Sequence, residues 1–178
     1  MESSAESRSE LVDGMVVAMS GNTYSHLRIV RNLVVELDGR LRGKPCEILC
    51  SDLKVKVELT GDYFYPDLIA VCGPPAFDGP NQLALLNPSL IIEVLSPSTE
   101  GYDRGQKFLH YQQIPSLQEY LLVAQDEPRV ELYARGPNSG WTYKMVAGPD
   151  ATLLLASIDC SVVLADVYRD VKFGESQA

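Results

Sequence analysis

Asp67 and Glu93 each stand in an apolar run, DLIAVCG and LIIEVLS, and a short way on Asp103 and Lys107 sit four residues apart, the spacing that places two side chains on one helix face. An ionised carboxylate buried without a partner costs several kcal/mol even after its surroundings relax. Runs as apolar as LIAV and LII have little structural reason to hold one, and a divalent cation removes the penalty. Two carboxylates and an amine are the parts of a metal-dependent phosphodiester hydrolase.

Such residues act only if the elements bearing them converge. GMVVAMS (14–20) predicts a strand, and Asn22 or Thr23 then caps a helix whose apolar positions Leu27, Val30, Leu33, Val34 and Leu37 recur at helical spacing up to about Gly39. His26 falls early in that helix. CEILC and DLKVKVEL alternate as half-buried strands do, with Lys54, Lys56 and Glu58 on one side and Val55, Val57 and Leu59 on the other. DLIAVCG is polar only at its start, which predicts a central strand covered on both faces. Residues 73–88, broken by Pro74, Pro75, Gly79, Pro80 and Pro88, predict a loop leading into the strand PSLIIEVLS. If the two strands pair antiparallel, Asp67 at the start of one falls beside Glu93 near the end of the other.

Ser98 or Thr99 then caps a helix running to about Gln113, which stops before Ile114-Pro115 because a residue preceding proline avoids helical angles. Asp103, Lys107 and Tyr111 share one face, turned back toward the carboxylates, and Phe108 and Leu109 bury the other side. EYLLVA, RVELYA, WTYKMV and ATLLLA predict further strands, and residues 162–168 a short closing helix.

With 178 residues the chain suits one domain, long enough to bury about 70% of the surface its unfolded form exposes. Its composition is 46% hydrophobic and 22% charged, as in an ordinary soluble protein, and no apolar stretch reaches the roughly 20 residues that cross a bilayer. The net charge of -9 argues against binding nucleic acid over a broad basic face. The charge is uneven: residues 57–100 carry six acids and no base, and this block is the expected place for a metal. The start, MESSAESRSE, lacks the basic flank and apolar core of a signal peptide, so the expected compartment is the cytoplasm and the four cysteines are expected as free thiols. Cys46 and Cys50 have no histidine near them in sequence, which argues against a zinc site there.

The string PSLIIEVLSPSTEGYDRGQKFLHYQQIPSLQEYLLV resembles the signature of the Uma2 family, grouped with the PD-(D/E)XK restriction-endonuclease-like superfamily; DGMVVAMS followed by His26, SDLKVKV and YPDLIAVC extend the likeness over about residues 11–170. The resemblance implies an α/β fold with a restriction-endonuclease-like core, a central mixed β-sheet flanked by α-helices. That domain would span 11–172, between a disordered start (1–10) and a tail (173–178). It also implies the roles. Asp67 and Glu93 match the two acidic elements, while Leu95 stands where the superfamily pattern places a lysine, and Lys107 on the next helix supplies the amine instead. The ion implied is Mg²⁺ (or Mn²⁺), held by Asp67, Glu93 and the carbonyl of Val94, because hard oxygen ligands suit these ions. Lys107 would position the attacking water or stabilise the phosphorane-like transition state. The substrate would be nucleic acid, DNA before RNA, with a homodimer as the expected assembly.

Four further residues are secondary candidates. Ser96 would hydrogen-bond a phosphate or cap the helix, Asp103 would orient Lys107 or act as a first-turn acid, His26 would contact substrate or fill an interface, and Tyr111 would pack. No phosphate-cradling glycine loop, GxSxG elbow or HExxH is present. The rival reading is a non-catalytic nuclease-like subunit or regulatory module, favoured by the acidic charge, against which stands the complete set of Asp67, Glu93 and Lys107.

Overall fold

The computed structural model describes residues 9–18, 22–50, 53–138 and 140–173. Along the chain run the strands β1 (Ser9–Val12) and β2 (Met15–Ala18), the helix α1 (Tyr24–Leu41), and the strands β3 (Cys46–Cys50), β4 (Lys54–Val57), β5 (Asp62–Phe64), β6 (Leu68–Cys72), β7 (Ala84–Leu85) and β8 (Leu90–Val94). A broken helix α2 (100–111) follows, then β9 (Glu119–Val123), β10 (Arg129–Arg135), β11 (Trp141–Ala147), β12 (Thr152–Leu155), β13 (Cys160–Val163) and the short helix α3 (Leu164–Val167).

β6 and β8 are apolar at nearly every position because both faces of their sheet are covered. That sheet has six strands in the order β11-β10-β9-β8-β6-β3 and is mixed, with β8 parallel to β9 and the other pairs antiparallel. On one face Leu68, Ala70, Leu90, Ile92 and Val94 pack against Ile29, Leu33 and Leu37 of α1 and against the β12–β13 hairpin. On the other face Ile69, Val71 and Ile91 meet Val55, Val57 and Phe64 of a second sheet, together with Phe108 and Tyr111 of α2. A parallel pair needs a crossover, and α2 supplies it between β8 and β9.

The second sheet, ordered β2-β1-β5-β4-β7, is a departure from the expected helical cover on both faces. Its strands are short and were read in part as loop or tail. β7 lies inside the expected loop 73–88 and pairs parallel with β4. Leu59 does not continue the buried side of β4; it lies in the turn beyond and is exposed. Ser9 and Glu10, assigned to the disordered start, belong to β1, while residues 1–8 and 174–178 lie outside the described residues. Phe173, assigned to the tail, packs on Tyr168 with ring centroids 5.7 Å apart.

Thr23 caps α1, its side chain accepting the His26 N–H. The buried stripe centres on Ile29, Leu33, Leu37 and Leu41, and Leu27 faces solvent. Asn32 joins the buried face because its amide donates to the carbonyls of Val167 and Arg169. Beyond the far end of α2, Arg135 donates to the carbonyls of Gln112, Ile114 and Leu117 and so ties the segment after the helix to β10. Leu109, expected to be buried with Phe108, is exposed. The closing helix is shorter than expected, because residues up to Val163 complete β13.

Two of the four cysteines are not free thiols. The β3–β6 register sets Cys46 opposite Cys72, and the Cys72 N–H goes to Ser89 Oγ rather than to Cys46, which marks a non-hydrogen-bonded pair, where facing side chains are closest. The two sulfurs are bonded. A thiol expectation read from compartment alone could not see this register. Cys50 and Cys160 are free. Closing a loop of sequence separation 26 stabilises a folded chain by about 3 kcal/mol in the chain-entropy account. Reduction, or Cys72→Ser, is therefore expected to lower the urea midpoint by that free energy; an unchanged midpoint would show that the bond adds nothing.

Candidate active site

The β6–β8 register continues one residue past Leu68↔Ile92 to bring Asp67 against Glu93. Asp67 Oδ2 accepts the Val94 N–H at 2.8 Å, Oδ1 lies 3.0 Å from His26 Nε2, and the Asp67 N–H points at Glu93 Oε2 at 3.4 Å. The side chain of Glu93 projects to the face shared with α2 and the second sheet. There its Oε1 accepts from Lys107 Nζ at 2.9 Å and from the Tyr111 hydroxyl at 3.1 Å.

α2 changes pitch where it matters: α-helical at Glu100–Tyr102 and Phe108–Tyr111, it forms a π turn at Asp103–Lys107. π turns are uncommon and frequently accompany functional sites. Both ends of the turn, Asp103 and Lys107, are buried, and the Asp103 carbonyl is satisfied by the Tyr120 hydroxyl at 3.0 Å. Arg104, within the turn, reaches Glu131 on β10 and Glu100, fixing the turn to the central sheet.

A second acid completes the shell around Lys107. Glu10 on β1 is 4% exposed, and its Oε1 receives Lys107 Nζ at 3.0 Å and the Tyr65 N–H at 3.0 Å. Lys107 thus joins the two sheets, with Asp103 Oδ1 a further 3.9 Å away. Sequence reading missed Glu10 because it sits at the edge of a polar start. The signal that could have found it is the Asp13-Gly14 pair between ELV and MVV, which marks a tight hairpin and hence a strand through Glu10.

Three carboxylates (Glu10, Glu93 and Asp103) therefore crowd one ammonium, and a fourth, Asp67, stands beside Glu93. Burial, reinforced by Asp67 and Asp103, holds the Glu93 carboxyl well above its ordinary range despite Lys107. Burial likewise raises Asp103. For Lys107 burial acts to lower the pKa, but Glu93, Glu10 and Asp103 outweigh it and keep the ammonium charged. Tyr102, whose buried hydroxyl has no partner, is pushed up to about 12, first by burial and then by Glu10, so it stays a donor at neutral pH.

The structure brings Asp67, Glu93, Lys107, Asp103, His26 and Tyr111 into one connected group. Tyr111 is more than packing, since it donates to Glu93. Ser96 is not part of the group: its hydroxyl is shared with Ser98 and Thr99, and Thr99 occupies the helix cap position without a side-chain cap bond. The Val94 N–H is committed to Asp67.

A family model, Uma2, described as "Putative restriction endonuclease", matches residues 1–165. Two Synechocystis sp. proteins, sll1609 and slr1290, are each 37% identical, the first over 85% of this chain and 86% of its own length, the second over 92% and 85%. A crystal structure of "a putative nuclease belonging to DUF820" from Anabaena variabilis superposes with a TM-score of 0.77 at 18% identity, covering 92% of this chain and 91% of that one, and so shares its fold. Among the described residues no helix is long and apolar enough to cross a membrane.

The raised Glu93 carboxyl has a consequence for stability. A group whose folded pKa lies above its unfolded value, near 4.5 here, contributes stability that is complete below that value and is lost as pH rises through the folded pKa. Without divalent ions, Glu93→Gln is expected to match the wild type in thermal midpoint at acid pH and to gain on it steadily toward neutrality. A difference independent of pH would mean that Glu93 does not titrate in that window.

Proposed function

The chain belongs to the Uma2 family, and on that premise we propose that it is a divalent-metal-dependent endonuclease hydrolysing phosphodiester bonds of nucleic acid, DNA in the first instance. The observation that carries this reading is the surplus of carboxylates: Glu10, Glu93 and Asp103 are buried around the single ammonium of Lys107, and Asp67 stands beside Glu93. A metal fits the donor set. Asp67, Glu93 and the carbonyl of Val94 are hard oxygen ligands of the kind Mg²⁺ or Mn²⁺ takes. Bound there, the ion would lower the pKa of a water and neutralise charge at the phosphate.

The chain's own groups do the rest. Tyr111 donates to Glu93 Oε1 and His26 holds Asp67 Oδ1, so each carboxylate has one oxygen oriented by a neighbour. Lys107, kept protonated by Glu93, Glu10 and Asp103, offers an N–H to a phosphate oxygen as charge develops there. Asp103 orients it. Entry is from the Asp67 side, the most accessible carboxylate of the set at 17% side-chain exposure. At that end of α1, Tyr24, Arg28, Asp170 and Lys172 line a cleft of about 520 Å³, in which Arg28 pairs with Asp170 and Lys172 adds a further cation. Pairing of two copies, supported by the exposed Met15 and Val16 on the edge strand β2, and a cytoplasmic setting belong to the same reading.

One observation favours the rival, a non-catalytic module: Lys107 is only 5% exposed and already engaged by two carboxylates. Cleavage of single-stranded, duplex and branched DNA and RNA with Mg²⁺ or Mn²⁺ separates the two. Wild-type cleavage that falls by about 100-fold or more in Lys107→Ala and Lys107→Gln, both verified as folded, is the expected result. No metal-dependent cleavage of any substrate by the wild type would leave the module reading standing.

A further inference from the structure

Apart from the Lys107 cluster, a second group of ligating side chains converges from three elements. Asp13 lies in the β1–β2 turn, Asp62 opens β5, and His110 is in the last turn of α2. One ligand atom from each lies within 4.8 Å of the other two. Asp62 is 2% exposed, and its Oδ1 is pinned by the Asp13 N–H at 2.9 Å. That leaves Oδ2 facing His110. It sits 2.9 Å from Nδ1, yet it is a buried oxygen with no hydrogen-bond donor among the described residues, so the close approach is not along an N–H direction.

A buried carboxylate oxygen without a donor is rare in folded proteins and asks for a cause. The spacing suggests one. Two ligand atoms bonded to a common ion at about 2.0–2.2 Å stand roughly 3–3.5 Å apart, the larger value at the tetrahedral angle. We propose that Asp13, Asp62 and His110 form a second divalent-cation site, separate from Asp67 and Glu93, that takes a borderline transition-metal ion of the Zn²⁺ class. The imidazole sets the class, because a mixed nitrogen and oxygen set suits Zn²⁺ where an all-oxygen set suits Mg²⁺. Asp62 and His110 are the buried ligands. Asp13, 67% exposed, brings one oxygen within 4.8 Å of the other two ligand atoms, closes the site from the solvent side and leaves positions for water.

The site braces the neighbouring cluster. Asp13 follows Glu10 by three residues in the same hairpin, and His110 immediately precedes Tyr111, so one ion would fasten together β1, β5 and α2, the elements that present Glu10 and Tyr111 to Lys107 and Glu93.

A Zn²⁺ titration of the full chain in competition with a chromophoric chelator tests this, with Glu93→Gln as the chain lacking a ligand of the first site. Wild type and Glu93→Gln are expected to bind one Zn²⁺ alike. Asp13→Asn keeps a residue type that tolerates the left-handed φ of 50° and so preserves the turn, and it is expected to weaken binding by about tenfold or more. His110→Ala is expected to abolish binding, together with the visible absorption of a Co²⁺-substituted chain. No stoichiometric Zn²⁺ in the wild type, wild-type binding in Asp13→Asn and His110→Ala, or binding lost in Glu93→Gln alone would each overturn the proposal.

Discussion

One buried ammonium holds this molecule's two sheets to each other. Lys107 cannot be left alone in an interior, and Glu93 on the central sheet and Glu10 on the smaller one are the partners that keep it charged there. The constraint explains the shape of the crossover between β8 and β9. A regular helix would serve the connection, but α2 widens into a π turn with Asp103 and Lys107 buried at its two ends. Tyr120 and Arg104 then tie that turn to β9 and β10, so the irregular segment is fastened to the most regular part of the fold.

The central sheet and the pairing of its acids are legible in the sequence. LIAV and LII lack alternation because α1 covers one face and the second sheet with α2 the other, and antiparallel neighbours of that length place Asp67 beside Glu93 with no freedom to differ. The four-residue spacing of Asp103, Lys107 and Tyr111 predicted one shared face even though the intervening helix is not regular. What the sequence hid was hidden for physical reasons. β1, β5 and β7 are two to four residues long, too short for periodicity to register, and the β1–β5 and β4–β7 pairings that assemble their sheet are non-local. The Cys46–Cys72 bond depends on a register that no spacing rule supplies.

A buried acid in an apolar strand also proves a less selective signal than it first seems. Glu119 is 3% exposed in EYLLV, yet its carboxylate is fully used by the N–H groups of Ala156 and Ser157, and Glu131 is held below its ordinary range because hydrogen bonds from Arg104 and Arg129 outweigh the effect of burial. These two acids have local partners enough to account for them. Glu93 does not: it shares one lysine with two other acids and stays raised. Dependence on one cation shared with other acids, rather than burial, separates Glu93 from these structural acids.

Asp67 carries two burdens, one for each oxygen. Oδ1 faces His26 and the opening, while Oδ2 receives the last amide of β8. Genetic dissection at this codon would be ambiguous unless the replacement is chosen with that division in view. An alanine allele removes the acceptor and the acid together and conflates loss of scaffold with loss of chemistry, whereas an asparagine allele retains a carbonyl for the Val94 N–H and strips only the charge.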